Sequence, residues 1–200
     1  MLSSNPILDL GCGNGELARE LGRQDYQGQY VGLDFSEGLL DEARRGQPEG
    51  PQAVFKQADL SASSWSKELP AQSFQAALAF AVLHHLPGLE LRRQILRRVH
   101  DMLRPGGFFI LSNWQFLNSP RMKARIQPWQ AAGLSAAQVE PGDFLLDWRQ
   151  GGTGLRYVHH FSLEELQLLA VETAFEMLDS FLSDGENNQL SIYQIWKPVE

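Results

Sequence analysis

Short apolar runs alternate along the chain with longer segments in which apolar residues recur at helical spacing. Each run is rich in aliphatic or aromatic side chains and has the length of a buried β-strand. The longest run is almost entirely apolar, as expected for a strand that is covered on both faces of a parallel sheet. The five predicted strands are Ile7–Leu10, Gln29–Asp34, Ala53–Lys56, Ser73–Val82 and Phe108–Ser112.

Helices are predicted between several of these strands. Glu16–Leu21 follows the first strand and is expected to end at Gly22, and Ser36 is placed to cap a helix over Glu37–Arg45. Leu89–Leu103 is amphipathic. Because alternating strands and helices build βαβ units, the pattern predicts an α/β fold of the Rossmann-like, doubly wound kind with a mostly parallel sheet.

The C-terminal part predicts one more helix and a strand pair. Ser162–Glu165 has the pattern of a capping box for a helix that runs to Glu172. Glu176–Leu182 and Leu190–Trp196 are separated by a polar, glycine-containing segment. We therefore expect them to pair as a closing antiparallel hairpin.

The regular pattern is interrupted after the fifth strand, over about residues 114–154. Aromatic residues are scattered there among prolines and glycines, together with a basic cluster formed by Arg121, Lys123 and Arg125. We predict a lid or substrate-binding insert. Its aromatic residues fit packing on the sheet better than stacking on a base, and its basic cluster is a possible phosphate contact.

Composition narrows the classes of protein. A chain of 200 residues suits a single domain, 1–200, and no apolar run is long enough to span a bilayer. Cys12 is the single cysteine, which fits a reducing compartment, and we expect the cytoplasm. The net charge of −7 argues against tight non-specific binding of nucleic acid, but a local basic patch or a partner subunit remains compatible with it.

The first strand leads into a glycine turn at Gly11, Gly13 and Gly15, and a helix follows directly. Strand, turn and helix start form a cradle of nucleotide size. Dinucleotide sites use G-x-G-x-x-G, whose third glycine would fall at Glu16. The alternating glycines after an acidic residue are instead typical of S-adenosylmethionine sites. Asp34, at the end of the second strand, is placed to hold ribose hydroxyls.

Five segments together resemble the class I S-adenosylmethionine-dependent methyltransferases over most of the chain. They are DLGCGNG (9–15), VGLDFS (31–36), KQADL (56–60), SFQAALAFAVLHHL (73–86) and LRPGGFFILS (103–112). The resemblance implies a seven-stranded sheet that ends in the antiparallel hairpin.

It also implies a set of cofactor-binding residues. The residues of the glycine turn would face the methionine part of the cofactor, and Asp34 would hold the ribose hydroxyls. Phe35 would lie beside the adenine ring, and Asp59 and Leu60 would border its amino group. Ala81 and His84 would lie at the mouth after the fourth strand. The residues assigned to the turn are Asp9, Gly11, Cys12, Gly13 and Gly15.

The C-terminal part resembles one branch of this family more closely. GDFLLDW (142–148) and RYVHHF (156–161) are similar to the G-D-x-L-V-P-W and R-Y-Y-H-x-F elements of the tRNA methyltransferases that esterify the carboxymethyl group of wobble uridine. Asp147 replaces the proline and Val158 the second tyrosine, and residues 1–6 do not match the segment that precedes the first strand in that family. The resemblance implies tRNA as a partner.

A carboxylate acceptor is already ionised near neutral pH and needs no general base, but it needs a cation to orient it. Arg156 is our candidate, and a structural ion pair with Asp147 or Glu164 is an equally strong interpretation. Tyr157 and His159 share its sequence element, and with His84 they complete the set of catalytic candidates.

A hydroxyl or amine acceptor would instead need a base, for which His84, His85 or His159 could serve. Adjacent histidines on an extended chain point to opposite sides, so each pair should offer one ring to the site. No metal site is predicted, because no second ligand set with zinc spacing accompanies the histidines.

Three functions remain open. The favoured one is a methyltransferase that esterifies a carboxylate, with a carboxymethyl-modified uridine of tRNA as the acceptor implied by resemblance. A small-molecule carboxylic-acid or hydroxyl O-methyltransferase is the first alternative, and a catalytically idle, S-adenosylmethionine-binding subunit that scaffolds a partner is the second. Cys12 belongs to the glycine turn, and the fourth strand is followed by VLHH (82–85), not by an N/D-P-P-Y loop. These features exclude C5-methylation of pyrimidines and methylation of exocyclic base amines.

Overall fold

A computed structural model describes residues 4–47, 52–148, 152–185 and 187–199. Ten strands run through it: β1 Ile7–Leu10, β2 Gln29–Asp34, β3 Gln52–Gln57, β4 Phe74–Phe80, β5 Leu103–Trp114, β6 Ile126–Gln127, β7 Asp143–Trp148, β8 Gly154–His159, β9 Phe175–Ser183 and β10 Ser191–Pro198. The helices are α1 Glu16–Arg23, α2 Glu37–Arg45, α3 Leu89–Met102, α4 Pro120–Lys123 and α5 Leu163–Glu172. Within these residues, no helix has the length and apolar character needed to cross a membrane.

Seven strands form the main sheet in the order β3-β2-β1-β4-β5-β10-β9. The strands from β3 to β5 are parallel to their neighbours, whereas β10 is antiparallel to both β5 and β9. This confirms the predicted Rossmann-like α/β fold, with a mostly parallel sheet and a C-terminal antiparallel hairpin. The carboxyl ends of β1, β2 and β4 therefore meet at one edge, where the order reverses between β1 and β4.

The two faces of the sheet carry separate apolar cores. On one face, Leu8, Leu10 and Phe109 pack with the buried side chains of α3 and α5. On the other, Ile7 and Tyr30 pack with buried residues of α1 and α2. Because β1 and β4 are covered on both sides, their sequences are almost entirely apolar, with Asp9 and Gln75 as the polar residues.

The insert has regular structure of its own. A second, three-stranded antiparallel sheet has the order β6-β7-β8 and pairs Asp143 with His159 and Leu146 with Arg156. The predicted boundary at residue 154 is therefore too early, because β8 begins there and belongs to the insert. Sequence reasoning missed this sheet because its strands are short and amphipathic. Phe116, Leu146 and Val158 form a small buried cluster beneath it.

Two predicted boundaries also shift. Helix α1 continues through Gly22 to Arg23, and α3 ends at Met102 because β5 already begins at Leu103. Leu103 pairs with Phe74, whereas Phe108 pairs with Ala76, so the residues between Leu103 and Phe108 loop out of the ladder. The sequence Arg104-Pro105-Gly106-Gly107 is typical of a tight turn, and this turn lies within β5.

Candidate functional site

The glycine turn at the end of β1 brings the backbone close to two neighbouring elements. Gly11, Gly13 and Gly15 all have positive φ angles, of 69°, 56° and 77°. A Cβ atom on Gly11 would lie 2.5 Å from Cγ2 of Val82, and one on Gly15 would lie 2.9 Å from Cβ of Ala43. At Gly13, no atom lies within 4 Å of such a Cβ. Gly11 and Gly15 are thus required by packing, while Gly13 leaves one side of the turn open.

The carboxylate of Asp34 fastens the turn to the end of β2. One of its oxygens accepts a hydrogen bond from the Gly13 amide at 2.9 Å, and the other accepts one from the Ser36 amide at 2.8 Å. An ionised carboxylate has room for about two further hydrogen bonds, as hydroxyl recognition requires. Its position between β1 and β2 fits the predicted contact with a ribose.

The residues expected around an adenine lie at the same edge of the sheet. The Phe35 side chain is 70% exposed directly after β2. Asp59 is exposed beyond β3, and hydrogen bonds from the amide and hydroxyl of Ser61 lower the pKa of its carboxyl. Leu60 is half-buried beside it. An exposed aromatic ring beside polar groups is a surface on which a flat base can stack.

Ala81 marks the exit from β4. It has a positive φ of 57°, and its amide donates to the Ser112 carbonyl oxygen at 3.0 Å and lies 3.2 Å from the Ser112 hydroxyl oxygen. The strained backbone turns the chain from β4 into the following histidines.

The structure contradicts the expectation that the side chain of Asp9 faces a ligand. Its carboxyl is 3% exposed and accepts a hydrogen bond from the hydroxyl of Tyr30 on β2. Burial raises its pKa to about 7, and the Asp34 charge adds to this effect, while the Tyr30 hydrogen bond opposes it. Cys12 is likewise buried, and burial raises the pKa of its thiol. Both side chains therefore lie in the protein interior beside Tyr30.

His84 and His85 do not alternate sides as predicted. They lie in a 3₁₀ turn, Leu83–His85, so their rings come within 4.2 Å of each other. Both rings contact Trp114, at 5.0 and 5.4 Å between ring centroids. Burial lowers the pKa of His85 to about 4 and the pKa of His84 well below its usual value. Both rings are therefore neutral at physiological pH.

His84 also carries an unused donor or acceptor. The Trp114 amide donates to its Nδ1 at 3.3 Å, which leaves the proton of the neutral ring on Nε2. Nε2 is buried and has no hydrogen-bond partner among the described residues. The same holds for Nδ2 of the fully buried Asn113, whose Oδ1 lies 3.4 Å from the His84 ring.

Arg156 lies on β8 at the rim of this region. Its guanidinium carbon is 3.5 Å from the ring centroid of Trp148. In the described parts of the chain, Arg156 has no ion pair with Asp147 or Glu164. The Asp147 carboxylate instead forms an ion pair with Arg125 at 2.9 Å. Partial burial lowers the Arg156 pKa, as does the Arg125 charge, yet a guanidinium remains protonated.

Tyr157 and His159 lie behind Arg156, in a polar network. The Tyr157 hydroxyl donates to Asp143 at 2.6 Å, and burial raises its pKa. His159 is buried with Nδ1 2.7 Å from Asp143 and Nε2 2.8 Å from Glu165. Both ring nitrogens are hydrogen-bonded to carboxylates inside the protein, so neither is directed at the acceptor region. The expectation that Tyr157 and His159 are catalytic is therefore not supported, and their contacts indicate a structural role.

Sequence reasoning missed Arg92, which is 1% exposed and bonded to Glu140 at 2.8 Å. The signal was present, because Arg92 lies at helical spacing with buried residues of α3 and is a charged residue within an apolar stripe. Glu140, Asp143 and His159 bring possible metal ligands within 4.8 Å of one another. Each of these three is already hydrogen-bonded inside the protein, which is the arrangement of a structural network.

The basic cluster of the insert is divided. Arg125 is bound to the side chain and carbonyl oxygen of Asp147, whereas Arg121 and Lys123 are exposed on α4. A cavity of about 230 Å³ lies between α4 and the β9–β10 loop, and Arg121 and Arg125 both line it.

Comparison with known sequences supports the reading of the turn. The model of a family described as "Methyltransferase domain" matches residues 8–109. A protein of Encephalitozoon cuniculi that is named as a methyltransferase is 31% identical over 175 residues, which cover 86% of this chain and 71% of that protein. The trans-aconitate 2-methyltransferase of Deinococcus radiodurans is 34% identical over 101 residues, 50% of this chain and 34% of that enzyme. The chain thus spans only about a third of that relative.

Solved structures share the whole fold. An S-adenosylmethionine-dependent methyltransferase from Methanosarcina mazei has a TM-score of 0.75 at 23% identity and covers 100% of this chain and 95% of its own. A glycopeptide N-methyltransferase in complex with S-adenosylhomocysteine has a TM-score of 0.68 at 18% identity, and the match covers 98% of this chain and 84% of that one.

Two glycine substitutions separate the support of the turn from its open face. At Gly13 an added Cβ meets free space, so Gly13→Ala should lower the unfolding free energy by only about 1 kcal/mol, the cost of the left-handed backbone. Its affinity for S-adenosylmethionine should fall at least tenfold, because the new methyl group occupies the open face of the turn. Gly11→Ala should lose more stability, because its Cβ overlaps Val82. Urea denaturation and calorimetric titration measure the two quantities. Unchanged affinity in Gly13→Ala would contradict a ligand at this face.

Asp9 should make the fold less stable as pH rises. The unfolded carboxyl titrates near 3.8 and the folded one at about 7, so between these values the folded state holds the extra proton. The stability that this proton contributes is lost as pH rises towards 7, by roughly 1.4 kcal/mol per unit of pKa difference. Asp9→Asn should remove this loss in urea denaturation at pH 5, 6, 7 and 8. If the unfolding free energies of the variant and the wild type changed with pH in parallel, the raised pKa of Asp9 would be contradicted.

Proposed function

This chain belongs to the class I S-adenosylmethionine-dependent methyltransferases, and we propose that the group it methylates is a carboxylate oriented by Arg156. The family membership makes S-adenosylmethionine the methyl donor. The acceptor and the residues that serve it are our proposal, which is based on the geometry at the ends of β4, β5 and β8.

The glycine turn and its neighbours fit the donor. The open face at Gly13, the Asp34 carboxylate and the exposed Phe35 ring offer room, a hydroxyl acceptor and a stacking surface at the switch point of the sheet. We assign the methionine part to the backbone of the turn, the ribose to Asp34 and the adenine to Phe35, Asp59 and Leu60. Bound S-adenosylmethionine supplies a methyl group on a positively charged sulfur, and when an acceptor oxygen bonds to this methyl, the electron pair of the broken S–C bond stays on sulfur.

The state of Arg156 carries the proposal for the acceptor. Its guanidinium is stacked on Trp148, partly buried, and has no ion pair to a described acidic residue. A planar guanidinium in this state presents parallel N–H donors, which match the two oxygens of a carboxylate. Stacking on Trp148 also fixes the plane of the Arg156 guanidinium before an acceptor binds.

The neutral histidines agree with this acceptor. Because the pKa of both rings lies below physiological pH, neither His84 nor His85 is a cation that competes with Arg156 for the acceptor. Nε2 of His84 and Nδ2 of Asn113 are buried donors without partners in the described residues, and an acceptor oxygen would satisfy them. A carboxylate is ionised near neutral pH, so its methylation releases no proton and requires no base.

Within the carboxylates, the acceptor implied by the sequence elements at 142–148 and 156–161 is a carboxymethyl-modified wobble uridine of tRNA, methylated in the cytoplasm. Exposed Arg121 and Lys123 could contact its phosphates. The trans-aconitate 2-methyltransferases favour the other candidate, a small carboxylic acid, since their names give such an acceptor for those relatives.

Arg156→Lys should lose most of the activity. Lysine keeps the charge but has neither the planar fork nor the stacking on Trp148, so kcat/KM for the acceptor should fall on the order of 10²-fold, while the Kd for S-adenosylmethionine stays unchanged. Arg104→Lys, exposed near the opposite edge of the sheet, is the control. Equal turnover in the two variants would remove Arg156 from the mechanism.

The two acceptor classes differ in their response to salt. If tRNA is methylated, labelled methyl groups from S-adenosylmethionine should appear in total tRNA as base-labile esters, and affinity should fall steeply with salt and with the double change Arg121→Ala and Lys123→Ala. Arg104→Ala serves as the control. Label that appears only in a fraction of small acids, with no dependence on salt, would identify the second class. S-adenosylmethionine binding without label in either fraction would contradict both.

A further inference from the structure

We propose that Arg92 is a positioning residue that holds the histidine turn and the strand carrying Arg156 in one fixed arrangement. The inference rests on the proposed function in one respect only, namely that the acceptor binds between these two segments.

Arg92 contacts three separate parts of the chain with one side chain. Its Nη1 donates to the Leu86 carbonyl oxygen at 3.0 Å, directly after the turn that presents His84 and His85. The same Nη1 lies 3.3 Å from the Tyr157 hydroxyl, next to Arg156 on β8. Nη2 donates to Glu140 of the insert at 2.8 Å. Among the described arginines, Arg92 alone joins the helix after β4 both to β8 and to the segment before β7.

The partners of Arg92 are themselves held in place. Glu140 also accepts from the Leu89 amide at 2.9 Å, at the start of α3, and its own amide donates to Asp143 at 2.9 Å. Asp143 accepts from Tyr157 and bonds to His159, which reaches Glu165 on α5. Asp143, Tyr157 and His159 of the two C-terminal sequence elements thus form one continuous network with Glu140 and Glu165, and Arg92 connects this network to α3.

The burial of Arg92 makes its contacts specific. A guanidinium that is 1% exposed has lost its hydration and depends on its fixed partners, among them the Phe161 ring at 5.3 Å. A shifted insert would leave this charge without its acceptors, which costs more than breaking an exposed ion pair. One arrangement of the insert is therefore strongly favoured.

The network reaches the acceptor region through Tyr157. The Tyr157 side chain is bound by Arg92 and Asp143, while its carbonyl oxygen lies 3.2 Å from Nδ1 of His85. The neighbouring Arg156 therefore has a defined distance from the histidine turn. Because a displacement of about 1 Å can cost on the order of 10²-fold in rate, this coupling has a direct effect on methyl transfer.

Arg92→Lys and Glu140→Gln test the inference, and Arg93→Lys is the matched control. Lysine at 92 keeps the charge but cannot reach Leu86, Tyr157 and Glu140 together, and the partly exposed Glu140 tolerates an amide without loss of the fold. Arg93 is the next residue of α3, and its partner, Glu172, lies outside the network. Hydrogen–deuterium exchange of the full chain is measured together with acceptor kcat/KM and the Kd for S-adenosylmethionine.

We expect faster exchange in both test variants over residues 83–86 and 154–159, with β1 and β4 unchanged. We also expect kcat/KM for the acceptor to fall on the order of 10²-fold at constant donor affinity, with Arg93→Lys behaving as the wild type. Exchange equal to that of the control, or raised throughout the main sheet, would overturn the inference. The exchange result stands without an acceptor, so a wild type that methylates no carboxylate would refute the proposed function separately.

Discussion

The architecture depends on how closely the backbone at Gly11–Gly15 approaches its neighbours. Val82, at the exit of β4, and Ala43, on α2, would both overlap a side chain on this turn, so the turn, β4 and α2 are adjusted to one another by contact. The Asp34 carboxylate adds a polar connection from β2 to the Gly13 amide. The cofactor edge is therefore determined by close packing of backbone, which a side chain at Gly11 or Gly15 would disrupt.

The acceptor side is built on a different principle. The insert packs on a small apolar cluster around Phe116, so packing alone specifies its position weakly. Its orientation comes from hydrogen bonds between charged and polar groups, which are directional and costly to leave unsatisfied when buried. One edge of the sheet thus combines a proposed donor site that is fixed by close backbone packing with a proposed acceptor site that is fixed by a polar network.

The sequence predicted the sheet, the hairpin and the turn because each has a local signal. Apolar runs, a capping residue at Ser36 and alternating glycines act within a few positions, and the structure follows them closely. The errors concern contacts between distant positions. Whether Asp9 faces a ligand or Tyr30 is decided on a neighbouring strand, and the sides taken by His84 and His85 depend on a 3₁₀ turn that follows the strained backbone of Ala81. The pairing of Asp143 with His159 across β7 and β8 likewise has no local signature.

The charges around the proposed acceptor site explain why these residues occur together. An anionic acceptor must approach a cationic donor, and any further protein anion on its path would compete for Arg156. Three described acidic residues near β8 are engaged elsewhere: Asp147 by Arg125, Asp143 by Tyr157 and His159, and Glu140 by Arg92. The histidines are neutral through burial, so they can donate hydrogen bonds without holding the anion too tightly. The polar network therefore has an electrostatic role besides a geometric one, because by hydrogen-bonding its own carboxylates it keeps the Arg156 guanidinium available to a carboxylate that comes from solution.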